Sequence, residues 1–181
     1  MKKLAFWSLI VLIVSGCGSP ERNILTTTKG NKINLSEQNT VLMWLASDCP
    51  LCQTYSSEYR DLASNYNSNL QFVGVLPGNW YTSEEMNHFI DSFHFDIPIV
   101  EDKDFYLTKR FNAIVTPEFV LIDTNLNVQY QGKFDDWATG LAQKKTKPQK
   151  FYLINAIDNF LNNQPIIPDY VEPVGCTIEM N

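Results

Sequence analysis

Apolar residues recur along this chain in two rhythms, and their order predicts an architecture. Val41 to Ala46, Leu70 to Val75 and Phe119 to Asp123 are short, mostly apolar runs without alternation, the signature of strands covered on both faces. Ile97 to Val100 is a further short strand, and Pro98, which has no N–H to donate, assigns it to a sheet edge or a strand start. Between these runs the spacing turns helical. Leu51, Tyr55, Tyr59, Leu62 and Tyr66 recur at three and four residues and predict a helix from Pro50 to about Tyr66. Ser83 followed by Glu84 and Glu85 predicts a helix start, with the helix running to about Phe93. A short helix is expected over Phe105 to Phe111, and a last one over Gln149 to Leu161 with Phe151, Ile154, Ile157 and Leu161 on one face. Ile24 to Thr28 and Lys32 to Leu35 flank Lys29-Gly30-Asn31 as an N-terminal hairpin edging the sheet. Asn125 to Asn127 turns the chain from Phe119–Asp123 into a strand over Val128 to Gln131. Strands alternating with helices, closed by a hairpin and a helix, indicate an α/β sandwich in one domain.

Composition supports a folded domain and removes one function class. With 13% aromatic and only 19% charged residues, the 181-residue chain has ample apolar surface to bury. Its formal net charge is −6, and its one basic cluster, Lys144, Lys145 and Lys147, reads as a solvated loop. Nucleic acid is not an expected partner, because phosphate neutralisation needs clustered Lys and Arg.

The N-terminus carries a targeting pattern. Lys2 and Lys3 precede an apolar stretch from Leu4 to Val14, broken only by Ser8, which is the layout of a secretory signal peptide over residues 1–16. The stretch is shorter than the roughly 20 residues a permanent membrane span needs. Val14-Ser15-Gly16-Cys17 resembles the lipobox of bacterial lipoproteins, which implies a lipid on Cys17, a tether over 17–23 and a membrane-surface location in the cell envelope. A translocated domain lies in an oxidising compartment, outside the cytosolic glutathione pool.

That assignment organises the four cysteines. Cys17 is taken by lipid, Cys49 and Cys52 form a close pair, and Cys176 stands alone near the C-terminus. Cys49-Pro50-Leu51-Cys52 falls where a strand turns into a helix, so the amides of the first turn favour a thiolate at Cys49, and thiolates attack disulfides. Cys49 is therefore the expected nucleophile, and Cys52, one turn inside and less exposed, the thiol that resolves the mixed disulfide. A structural disulfide or half of a zinc site are the competing readings, the latter needing about four ligands drawn from the pair, His88, His94 and Cys176. Cys176 could resolve a disulfide, join a metal site, or be an inert thiol in a mobile tail over 163–181. Asp48 adjoins the nucleophile as a substrate-facing residue whose charge should raise the Cys49 pKa, and Pro50 belongs to the same face. Trp80, Tyr81 and Trp137 are candidates to line a groove, with core filling as the alternative.

Trp44 to Cys52 together with Thr116-Pro117-Glu118-Phe119-Val120-Leu121-Ile122-Asp123 resemble the thioredoxin-like superfamily over about Leu35 to Leu161. The spacing of Cys52 and Pro117, which leaves room for an extra αβ unit, resembles the redoxin and alkyl hydroperoxide reductase/thiol specific antioxidant branch, as does the Gly175-Cys176-Thr177-Ile178 ending. The resemblance implies a thioredoxin-like three-layer α/β/α sandwich with a central mixed sheet, an N-terminal hairpin, one inserted αβ unit and a domain spanning residues 24–162. It implies a proline at 117 facing the cysteine pair, with Thr116 and Pro117 binding an extended substrate segment. It further implies a disulfide reductase or isomerase that needs no cofactor, with disulfide-bonded protein clients and a membrane thiol donor. Two departures stand out. No proline and threonine occupy Leu45 to Asp48, where peroxiredoxins orient peroxide, and Met43 replaces the buried aspartate that assists thioredoxins in proton transfer. Glu118 is the candidate general base in its place, with an exposed carboxylate or a salt bridge as the alternative. A thiol peroxidase using Cys49, and a copper-handling lipoprotein using the pair, are the rival functions.

Overall fold

In the computed structural model, which describes residues 22–180, the apolar runs form the middle of one six-stranded mixed sheet. In chain order the elements are β1 (Ile24–Thr26), β2 (Lys32–Asn34), β3 (Thr40–Trp44), α1 (Pro50–Thr54), α2 (Ser56–Tyr66), β4 (Gln71–Pro77), α3 (Ser83–Ser92) and β5 (Ile99–Asp102). There follow α4 (Tyr106–Arg110), β6 (Val115–Thr116), β7 (Glu118–Ile122), β8 (Val128–Gly132), β9 (Ala138–Gly140), β10 (Gln143–Lys144), α5 (Tyr152–Leu161), β11 (Tyr170–Val171) and β12 (Cys176–Thr177). The sheet order is β11-β8-β7-β3-β4-β5. Strand β3 pairs in parallel with β4 and antiparallel with β7, so the strand leading to the cysteines is central.

Side chains of successive strand residues point to opposite faces, and this alternation builds two cores. Val41, Met43, Phe119 and Leu121 pack against α1, α2, α3 and α5 on one face. Leu42, Trp44, Val120 and Ile122 pack on the other against α4, its flanking Phe105 and Phe111, and the N-terminal hairpin. The three layers are unequal, because a short helix and a hairpin cover the second face. A buried polar cluster on that face is hydrogen-bonded: Trp44 Nε1 donates to Thr108 Oγ1 at 3.0 Å, and Thr108 donates from both N and Oγ1 to Asp102 Oδ2.

Several expectations appear with shifted detail. Pro98 immediately precedes β5, an edge strand as its missing donor requires, and the hairpin shields that edge through a Thr27–Val100 bridge. The helix start expected at Ser83 is capped by Thr82, whose side chain accepts from Glu85 N while Glu85 reaches back to Thr82 N. The helix expected from Pro50 to Tyr66 is two helices that meet at Tyr55. There the ring packs edge-on against Trp137 and the hydroxyl donates to Asp135 at 2.5 Å. In α5 the buried side is Leu153, Ala156 and Ile157, whereas Phe151, expected on it, is 41% exposed. Phe151 precedes the first helical turn, so helical spacing does not govern it. The expected signal peptide, Cys17 and most of the expected tether lie outside the described residues. Among the described residues no helix is long and apolar enough to cross a membrane.

Residues 163–180, expected as a tail, pack onto the fold. Strand β11 adds to the sheet edge beside β8, with Gly132 so close to the Val171 carbonyl oxygen that a Cβ there would lie 1.8 Å from it. The chain then returns to pair β12 with β6, and Ile178 is buried in the second core.

Candidate active site

Strand β3 delivers the chain to Leu45, whose N–H still donates to Val75 O, and a tight turn closed by Cys49 N donating to Ala46 O starts the cysteine helix. Cys49 is the N-cap residue of α1 and Pro50 its first helical residue, where a missing N–H costs nothing. Gln53 N bonds to the Cys49 carbonyl, so Cys52 stands one turn along, beneath Cys49.

The two sulfurs of the pair are electrically unlike. The Cys49 thiol is drawn down to about 5, first by a hydrogen bond from the Cys52 thiol, aided by Cys176, the Cys52 amide and Thr116, and against burial. Cys52 is pushed well above the ordinary thiol value, chiefly by burial and then by the hydrogen bond and charge of Cys49. At neutral pH Cys49 is accordingly the thiolate and Cys52 the proton-bearing thiol. Asp48, expected to push Cys49 up, lies exposed and accepts a hydrogen bond from Tyr81, and its charge helps to raise the thiol of Cys176 rather than that of Cys49. When protonated, Cys49 donates to the Thr116 carbonyl oxygen at 3.0 Å.

The Thr116 carbonyl oxygen lies beside Cys49 Sγ, and the bond between Thr116 and Pro117 is cis. Glu118 stands apart from the pair. It is 1% exposed, and strand alternation turns it to the side of Val120 and Ile122, opposite the face that packs the cysteine helix. Its Oε2 accepts from the amides of Ile114 and Val115, and its Oε1 accepts from Gln131 Nε2 at 2.7 Å. Buried, and without an ion pair among the described residues, it braces the segment that ends in Thr116. Burial raises its pKa.

The residue whose position the sequence left open is Cys176. Its Sγ lies 2.8 Å from that of Cys49, and its backbone is registered opposite Thr116. Burial and the neighbouring Cys49 push its thiol up to about 12. Cys49 itself is only 1% exposed, in contrast to the accessible nucleophile expected from its place at a helix start. Beside it a cleft of about 240 Å³ is lined by Asp48, Trp80, Tyr81, Thr116 and Cys176, while Pro50 is exposed outside that lining. Trp80 and Tyr81 thus line this groove, whereas Trp137 packs edge-on against Tyr55 and lines a separate cleft with Phe134 and Asp135. His88 is hydrogen-bonded to Ser92 on α3. Among the described residues no group of three or more His, Cys, Asp and Glu is arranged to hold a metal ion.

Residues 20–131 match the model of the AhpC/TSA family. No curated protein matches the sequence. Among solved structures, a hypothetical protein from Sinorhizobium meliloti 1021 superposes with a TM-score of 0.74 at 21% identity, over 87% of this chain and 90% of that one. An uncharacterised conserved protein from Geobacillus kaustophilus gives 0.72 at 24% identity, over 87% and 88%. StoA from Bacillus subtilis gives 0.55 at 21% identity, over 60% and 84%, and a secreted Mycobacterium tuberculosis disulfide oxidoreductase gives 0.51 at 20%, over 58% and 78%. These likenesses show a thioredoxin-like fold. With the family match spanning more than half its length, the chain belongs to the AhpC/TSA family and is an oxidoreductase with a thioredoxin-like fold.

Proposed function

We propose that the protein is a thiol-disulfide oxidoreductase of the disulfide reductase or isomerase type, acting through Cys49 and Cys52. The observation that carries this reading is the asymmetry of the pair: a thiolate at Cys49 stabilised by a protonated Cys52 next to it, opposite the cis Thr116–Pro117 segment. In the proposed cycle the Cys49 thiolate attacks one sulfur of a client disulfide, that S–S bond breaks, and the departing thiolate takes up a proton. Once Cys49 is a neutral mixed disulfide, its charge no longer holds the proton on Cys52. Cys52, ionised, attacks Cys49 Sγ and releases the second client thiol. Two electrons have passed to the client, and the enzyme holds a Cys49–Cys52 disulfide.

The client's extended segment lies along Thr116 and Pro117, with Asp48 and Pro50 at the rim. Glu118 acts as a positioning residue for this edge, through the backbone it braces. The lipobox-like Val14–Cys17 supports an envelope location with a lipid anchor on Cys17, and a membrane thiol donor returns the two electrons. The test is trapping: Cys52→Ala with Cys176→Ala should hold clients covalently on Cys49, released by dithiothreitol. The absence of trapped species, under conditions where a known reductase yields them, would refute the proposal.

A further inference from the structure

Strand β12 occupies the edge that the proposed function reserves for a client. Its register sets Cys176 opposite Thr116, whose carbonyl oxygen lies 3.0 Å from Cys49 Sγ. The fit depends on Gly175: a Cβ there would lie 2.3 Å from Thr116 O and 2.6 Å from Thr116 C, both of them backbone atoms that cannot swing aside. The strand is fixed on both sides of the thiol. Before it, β11 is bound to β8, and after it Ile178 is buried at 6% exposure while its N–H donates to Ile114 O at 2.9 Å. A passive surface thiol requires none of this. The arrangement puts a sulfur 2.8 Å from the nucleophile and leaves Cys49 1% exposed.

We propose that Cys176 is a third redox-active thiol and that β12 is an intramolecular client, so that the protein forms a Cys49–Cys176 disulfide which closes the site to outside disulfides. This rests on the reading of Cys49 as the reactive thiol. In the oxidised enzyme the Cys176 thiolate attacks Cys49 Sγ; the Cys49–Cys52 bond breaks, the Cys49–Cys176 bond forms, and Cys52 leaves as a thiolate that takes the proton Cys176 gave up. No electrons are gained or lost, so no oxidant is needed. In the same way Cys176 resolves a mixed disulfide on Cys49 that Cys52 has not reached. Two of the influences that raise the Cys176 pKa, the hydrogen bond to Cys49 and its charge, are gone once Cys49 is a neutral disulfide. A client gains Cys49 only by displacing β12 from β6, which makes the tail a competitor for the same backbone edge.

The test uses the purified full chain equilibrated with oxidised glutathione, quenched with acid, alkylated, digested with trypsin and mapped without reduction. Cys49 and Cys52 fall in peptide 33–60 and Cys176 in peptide 151–181, so a link between these peptides is diagnostic. In Cys52→Ser the linked pair is expected, with glutathione on Cys49 at least about tenfold less abundant than in Cys52→Ser/Cys176→Ser, because a held thiol outcompetes a dissolved one. In Cys52→Ser/Gly175→Ala, which keeps both thiols but breaks the docking, glutathionylated Cys49 should return to within about twofold of the double serine variant. Equal glutathionylation with and without Cys176, or a link unaffected by Gly175→Ala, would overturn the inference. Cys176→Ser reports on the pair alone: if it forms the Cys49–Cys52 disulfide while Cys52→Ser gives no linked peptides, the tail inference fails and the proposed function stands.

Discussion

The difference between the two paired sulfurs is open to direct perturbation. Cys52→Ala removes the largest influence holding Cys49 down to about 5, the hydrogen bond from its thiol. A hydrogen bond to a charged group contributes about 1.5–3 kcal/mol, and about 1.36 kcal/mol moves a pKa by one pH unit, so the Cys49 midpoint should rise by about one to two pH units. It should stay below the ordinary 9.0, because Cys176, the Cys52 amide and Thr116 still favour the thiolate. Cys52→Ser retains an O–H donor in the same place and should rise less. The assay is the ultraviolet absorbance of the thiolate followed against pH, taken as the difference from Cys49→Ser so that the other cysteines cancel in the acid limb. An unchanged midpoint in Cys52→Ala, or equal shifts for alanine and serine, would refute the reasoning.

Three further outcomes follow from the surrounding structure. The Tyr59 hydroxyl is buried with no hydrogen-bond partner among the described residues, so Tyr59→Phe should stabilise the protein by about 1–3 kcal/mol in chemical denaturation. Thr108→Val removes the hydroxyl linking Trp44 Nε1 to Asp102 and leaves buried polar groups unmatched, which should cost about 1–3 kcal/mol and raise Trp44 fluorescence sensitivity to denaturant. Glu118 has a folded pKa raised by burial, so its contribution to stability is present below its unfolded value of 4.5 and is lost as pH rises through the folded one. Glu118→Gln should abolish that decline, as read from denaturant midpoints across the acid to neutral range.

What the sequence made legible, and what it did not, follows from whether a signal is local. Val41–Ala46 and Phe119–Asp123 announce buried central strands because every residue in such a run needs cover, whichever face it takes. The cysteine spacing and Thr116-Pro117 identify the site for the same reason, since both are contiguous motifs. The tail escaped because its strands are two residues long and exist only through pairing with β8 and β6. No periodicity can appear in two residues, and Pro165, Pro168 and Pro173 around them read as loop punctuation. The available hint was Gly175 followed by Cys176 and, two residues on, the apolar Ile178, a pattern suited to a strand passing closely over another backbone. The burial of Cys49 was hidden with it, because exposure at a helix start follows from local geometry only until a distant segment docks there. Glu118 shows the converse: its place beside Pro117 suggested proximity to the cysteines, and strand alternation turned it to the other face.

The most direct measurement of the central claim is disulfide transfer itself. The reduced full chain is mixed with a small disulfide-bonded client under anaerobic conditions, and client thiols are counted together with the mapped state of Cys49 and Cys52. The account predicts that each client disulfide reduced is matched by one intramolecular disulfide formed at Cys49, with all transfer lost in Cys49→Ser. Client disulfides left intact by the reduced wild-type protein, or reduced equally well by Cys49→Ser, would contradict it.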